Sequence, residues 1–297
     1  MEKKYEFTNE TRTIRDDKGI LHTVYQIRAL KDFGDVHKGD LGGWLEKESN
    51  LSHEGTCWVS ENATVYDNAE VYSHARVTGD SMVYGDAWVT SSAHICDNAQ
   101  VYDKASIGDA AKVYGKASIG GNVQVYGKAR VYDVAWVSDD AQVYGNAQVY
   151  KGAVVRDTAQ VYDNAQVFDE ALIRDTAQVY DNAQVYVDAF ILGTAEVYGN
   201  AQVYGTAKVL DDARVLDDAR ISDGAQVYDK ARISDDAQVY GNAWVSDEAS
   251  IGGNAKVYGN AQVYGTARVL GGASVGGTTK VYGNARVYGT AWVDGNA

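Results

Sequence analysis

No proline occurs anywhere in the 297-residue chain. Proline cannot donate to a hydrogen-bonded ladder, so its absence suits a chain in which nearly every backbone N–H is used. Cysteine is almost missing too, with Cys57 and Cys96 alone. Cys57 takes a small inward position as core filler and Cys96 faces outward. A disulfide between them is not expected, and the chain reads as reduced and cytoplasmic, bacterial or in a phage-infected cell. No apolar run reaches the ~20 residues of a membrane helix. Nor does one follow Lys3-Lys4 as in a signal peptide. Positive charge is in deficit: 27 Lys and Arg against 41 Asp and Glu, a formal net charge of −14. That argues against general nucleic-acid binding, and the lack of a long apolar run against a membrane partner.

What the chain does have is a repeat. From Val59 to Val293 an aliphatic residue recurs every sixth position, forty times without a slip. Two places before each stands a small residue, nearly always Ala; Cys57, Ser81, Val123 and Thr279 are the exceptions. In Asn146-Ala147-Gln148-Val149-Tyr150, Ala147 and Val149 point one way, Gln148 and Tyr150 the other. Gly, Asp and Asn then supply a sharp corner. The pattern resembles the hexapeptide-repeat family. That resemblance implies an all-β fold, a left-handed parallel β-helix of about 13 triangular coils of 18 residues, spanning residues 51–297. With strands ~4.8 Å apart the stack measures ~60 Å.

Residues 1–50 do not keep the beat. Tyr5 to Ile14 and Leu21 to Leu30 read as strands about an Asp16-Asp17-Lys18-Gly19 turn, a β-hairpin cap. Trp44, Leu45 and Leu51 are placed to cover the first coil, since a solenoid end exposes apolar surface and strand edges. At the other end the repeat runs into Ala297 part-way round a coil. An open edge there is expected to pair with another chain, or to mark a chain cut short of its cap.

Ile27 to Val36, Gly42-Gly43-Trp44, Asn50-Leu51-Ser52 and Gly55 to Val59 resemble the YdcK-like proteins of enterobacteria and prophages. The resemblance implies architecture and a bacterial or phage origin. It brings a transferase label but no catalytic residues to carry over.

Sorted by face on an 18-residue coil, outward positions form rows. Tyr114, Tyr132, Tyr150, Phe168, Tyr186 and Tyr204 share the first face; Tyr126, Tyr144, Tyr162, Tyr180 and Tyr198 share the third, with Gln rows beside both. Identical residues at strand spacing build stabilising ladders, and could also be presented to a protein or saccharide. Arg214, Arg232, Arg268 and Arg286 align on the third face as a possible anionic contact. The corner aspartates read as a solvated edge rather than a calcium ladder, which would want a dedicated loop. The second face breaks from polarity at Val134, Trp136, Val154, Leu172, Val187, Phe190, Leu192 and Leu210, with Arg156 and Arg174 alongside. So contiguous an apolar patch predicts self-association into a dimer or trimer.

The hexapeptide-repeat family is rich in acyltransferases. The resemblance implies a histidine general base, often in a loop expelled from the coil. Here only His74 and His94 fall inside the repeat, and no insertion interrupts it. No Ser–His–Asp set, metal-ligand spacing or phosphate loop stands out. The expectation is a non-enzymatic structural or interaction protein without metal or cofactor. The alternative is an acyl-CoA-dependent transferase using His74 or His94.

Overall fold

The computed structural model describes residues 2–16 and 18–295; Ala297 and its open edge lie outside them. Two compact units divide the chain, one ending at Gly145 and the other beginning at Asn146. Both are parallel β-solenoids whose strands are mostly two residues long. In the first unit Thr64–Val65 pairs in parallel with Met82–Val83, and that with Gln100–Val101. In the second, Val154–Val155 pairs with Leu172–Ile173 and that with Phe190–Ile191. The step is 18 residues throughout these ladders, so three faces make one coil. The inward Ala and Val or Ile columns are completely buried from Ala75 to Val275. Each Val so buried contributes ~1.5–3 kcal/mol.

Strands this short need a corner every six residues. Many corners are aspartates in the left-handed region, such as Asp97 and Asp175, both at φ 60°. That conformation costs most L-residues ~1–2 kcal/mol. Aspartate offsets it by accepting a backbone hydrogen bond from the next coil. Gly115 N donates to Asp97 Oδ2 at 2.9 Å, and Gly193 N to Asp175 Oδ2 at 2.9 Å. The corner acids are therefore structural acceptors as well as a solvated edge.

The N-terminal segment forms the expected hairpin, β1 (Tyr5–Arg15) antiparallel to β2 (Leu21–Ala29). It also contains a third strand, β3 (Leu41–Leu45), antiparallel to β2 and parallel to Thr64–Val65. Gly43 permits this approach: a Cβ there would sit 2.6 Å from the Ala63 carbonyl oxygen. The second face thus continues into the hairpin. Leu45 pairs with Val65 and Leu51 with Val71, each 20 residues on rather than 18. Both leucines are buried as first members of the inward columns. Trp44 points outward instead, its ring 4.5 Å beneath the Arg12 guanidinium.

A first coil has no preceding coil to donate to its carbonyls. Side chains of the N-terminal segment take that role. Lys4 Nζ donates to Cys57 O at 2.9 Å, and Tyr5 Oη to Glu48 O at 2.8 Å and Leu51 O at 3.0 Å. Burial lowers the Lys4 pKa, opposed by attraction to Cys57; burial likewise raises that of Cys57.

Candidate functional site

A groove of about 530 Å³ opens where the segment Asp35–Leu41 overhangs the first face. Trp58, Arg76 and His94 form its floor on successive coils in strand register. Asp35 reaches across from the overhang to an ion pair with Arg76. Phe33 packs edge-on against Trp58 at 5.4 Å. His94 is half-buried, and its Nε2 lies 3.4 Å from Thr78 Oγ1. Burial first, then the charges of Lys112 and Arg76, lower the His94 pKa. A neutral imidazole at a groove floor can accept a proton. His74 does not join it: it is exposed at a corner, with Nδ1 2.9 Å from Thr56 Oγ1. The sequence reading missed the overhang because it comes from upstream of the repeat.

The aromatic rows are true stacks. In the second unit Tyr150, Phe168, Tyr186 and Tyr204 stack at 4.9, 4.9 and 5.0 Å, with interplanar angles of 10° or less. Tyr162, Tyr180 and Tyr198 do the same on the third face. In the first unit Tyr114–Tyr132 and Tyr126–Tyr144 stack likewise. Tyr66, Tyr84 and Tyr102 add a ladder on the second face that the sequence reading had not picked out. Neighbouring glutamines tie the hydroxyls, as Tyr162 Oη does to Gln178 Oε1 at 3.0 Å. Burial, then Glu196, pushes the Tyr180 pKa up to about 12. Rings stacked this way present edges outward and cover each other's faces.

On the third face Arg214, Arg232, Ser250, Arg268 and Arg286 are in register. Arg214 leans toward Glu196 at 3.5 Å. Arg214 and Arg232, with Glu196, Thr194, Asp212 and Lys230, line a groove of about 480 Å³.

The apolar residues of the second face fall in both units. Val134 and Trp136 belong to the first and are 58% and 49% exposed. In the second, Val154, Leu172 and Phe190 occupy outward positions of paired strands. Leu192 and Leu210 fill slots where other coils place Tyr, and these five side chains are half-buried. Lys208 Nζ sits 5.8 Å above the Phe190 ring. Val187 differs from all of these in its backbone: it is 40% exposed and has φ 60°. A β-branched residue in that region is an outlier. Arg156 and Arg174 flank the group, each with a buried Nε that makes no hydrogen bond among the described residues. Arg174 Nε stands 3.5 Å from Asp175 Oδ2.

Stacked parallel coils with stapled corners define a parallel β-solenoid protein. More particularly, residues 141–157, 231–247 and 280–295 match the YdcK β-solenoid repeat. The chain is similar to a protein of Escherichia coli K12 named as the uncharacterized acetyltransferase YdcK, 37% identical over 68 residues. That stretch is 22% of this chain and 21% of the relative, so the match spans about a fifth of the relative's length. No helix among the described residues is long and apolar enough to cross a membrane.

Proposed function

We propose that the protein is a non-catalytic interaction protein that associates with copies of itself through the second face of its second unit. Val187 carries this reading. Corners elsewhere use Gly, Asp, Ser, Lys or Glu at positive φ, which tolerate it better or serve solvent. A valine there costs ~1–2 kcal/mol in backbone strain and leaves an apolar side chain exposed. Folding alone gains nothing from such a choice; an interface that covers Val187 does. Phe190, Leu192, Leu172, Val154 and Leu210 supply the contiguous apolar surface around it. Arg156 and Arg174 rim the patch, and a twofold arrangement lets them meet corner aspartates of a second copy. A closed dimer or trimer buries the patch without seeding fibres. Two free cysteines and the acidic balance suit the reducing cytoplasm of a bacterium or a phage-infected cell. The ladder edges, with their tyrosyl hydroxyls and glutamines, suit a protein partner better than a saccharide, which stacks on ring faces. The arginine strip suits an acidic region of such a partner.

Light scattering on the full chain tests the self-association. A mass that is a multiple of 32.1 kDa is expected, falling to the monomer in Phe190→Glu. A monomeric wild type at micromolar concentration, or an unchanged mass in the variant, rejects it.

A second reading is acyl transfer in the groove above His94. It is favoured by the lowered His94 pKa at a groove floor and by the printed name of the Escherichia coli relative. Calorimetric titration with acetyl-CoA separates the two. The interaction reading expects no binding; tight binding that is lost in His94→Ala and Arg76→Ala replaces it with the transferase.

A further inference from the structure

His22 is, among the described residues, the one buried histidine, at 6% exposure. It stands among three carboxylates from separate parts of the chain. Its Nδ1 lies 3.0 Å from Glu46 Oε1 and 3.7 Å from Asp67 Oδ1. One ligand atom from each of these three residues falls within 4.8 Å of the others. Across the ring, Nε2 lies 3.7 Å from Asp16 Oδ2, beyond hydrogen-bonding distance. That buried Nε2 makes no hydrogen bond among the described residues. An orphaned buried imidazole nitrogen costs free energy unless something fixes the ring.

The other oxygens of the carboxylates are already engaged. Glu46 Oε2 accepts the Asp67 N–H at 2.7 Å, Asp67 Oδ2 the Gly85 N–H at 3.3 Å, and Asp16 Oδ1 the Ile20 N–H at 2.6 Å. This leaves one oxygen of each acid directed at the imidazole. Tyr66 packs on the ring at 4.8 Å and fixes its plane. No Lys or Arg among the described residues pairs with Asp16, Glu46 or Asp67. Even a protonated His22 would leave two of the three carboxylates unneutralised.

We propose that His22 Nδ1, Glu46 Oε1 and Asp67 Oδ1 bind a divalent transition-metal ion of the zinc class, with Asp16 on the far side of the ring, placed to accept the Nε2–H as the imidazole settles onto the ion. Metal bonds of about 2.0–2.2 Å set tetrahedral ligand atoms about 3.3–3.6 Å apart, close to the 3.0 and 3.7 Å found here. Coordination at Nδ1 places the ring proton on Nε2, facing Asp16, as in carboxylate–histidine–metal sites. Occupancy of the site would draw Nε2–H and Asp16 Oδ2 together from 3.7 Å and supply the partner that Nε2 lacks. A nitrogen donor with only two carboxylates suits zinc over calcium, which takes six to eight oxygens. Glu46 and Asp67 side chains keep 27% and 35% exposure, so the fourth position faces solvent and takes water. The ion ties β2 to the first coil, through Glu46, and to the next corner, through Asp67. The site is independent of the self-association surface.

The test is calorimetric titration of the full chain, first stripped with chelator, with zinc chloride. One equivalent is expected to bind and to raise the melting temperature. Glu46→Gln keeps an amide oxygen for the Asp67 N–H, so it should melt like wild type in chelator yet bind zinc at least about tenfold more weakly. Asp16→Asn should weaken binding about 10–100-fold. Long-range ¹H–¹⁵N spectra of the wild type need no variant: zinc should move the His22 ring nitrogens and fix the Nε2–H tautomer. Unmoved His22 nitrogens, or affinity unchanged in Glu46→Gln, overturns the site and assigns any zinc uptake to surface carboxylates.

Discussion

Lys4 Nζ lies 2.9 Å from the carbonyl oxygen of Cys57, in the place a preceding coil's N–H would otherwise fill. The ammonium is also 3.2 Å from Cys57 Sγ and 5.0 Å from the centre of the Phe33 ring. A long flexible cation thus closes the backbone ladder at the start of the solenoid and fills space above the inward column.

Lys4→Met should therefore destabilise the first unit by ~1–3 kcal/mol, the cost of leaving a buried carbonyl unmet. Denaturant unfolding followed by tryptophan fluorescence reads it. An unchanged midpoint would show that the hairpin covers the first coil by apolar contact alone.

Asp175 combines the left-handed corner with a hydrogen bond to Gly193 N. Asp175→Ala should lose ~2 kcal/mol, from backbone strain and the lost acceptor together. Asp175→Gly removes only the acceptor and should cost about half as much. Equal losses in the two variants would mean that strain at the corner is negligible.

The His94 pKa is held below 6.5 by burial and then by nearby cations. The unfolded chain then binds the proton more readily than the native one. The stability that neutral His94 contributes is complete above pH 6.5 and is lost as pH falls through the window between 6.5 and the lower native value. His94→Gln should flatten that acid slope, and the His94 ring resonances should titrate with a midpoint below 6.5. A midpoint at or above that value contradicts the burial of the imidazole at the groove floor.

The coils were legible because two residues in every six, one small and one aliphatic, are buried, and nothing local competes with that constraint. Ala147 and Val149 need no knowledge of distant contacts to be placed inward. Leu45 and Leu51 were harder. They keep the six-residue step between themselves, but eight residues separate Leu51 from Val59, and that extra pair hides the first coil from a strict count. The overhang above His94 was invisible for another reason. Asp35 reaches Arg76 only because β3 pairs with Thr64–Val65 and carries the preceding segment over the first face. His22, Glu46 and Asp67 likewise converge through β2, β3 and a corner, with no spacing in the chain to announce them. The aspartate corners were visible as a pattern, but their hydrogen bonds to the next coil depend on a carboxylate turning along the stack.

The claim that the second face is an interface rests on Val187 bearing strain for a purpose other than folding. The most direct measurement takes Val187→Asp, which supplies the residue most common at such corners after glycine, and follows it twice. Unfolding at concentrations low enough for the monomer should show the variant more stable by ~1 kcal/mol as strain is relieved. Sedimentation equilibrium should show its self-association weakened at least about tenfold, a loss of roughly 1.4 kcal/mol. A variant that gains stability and associates as well as wild type contradicts the account, as does one that loses stability.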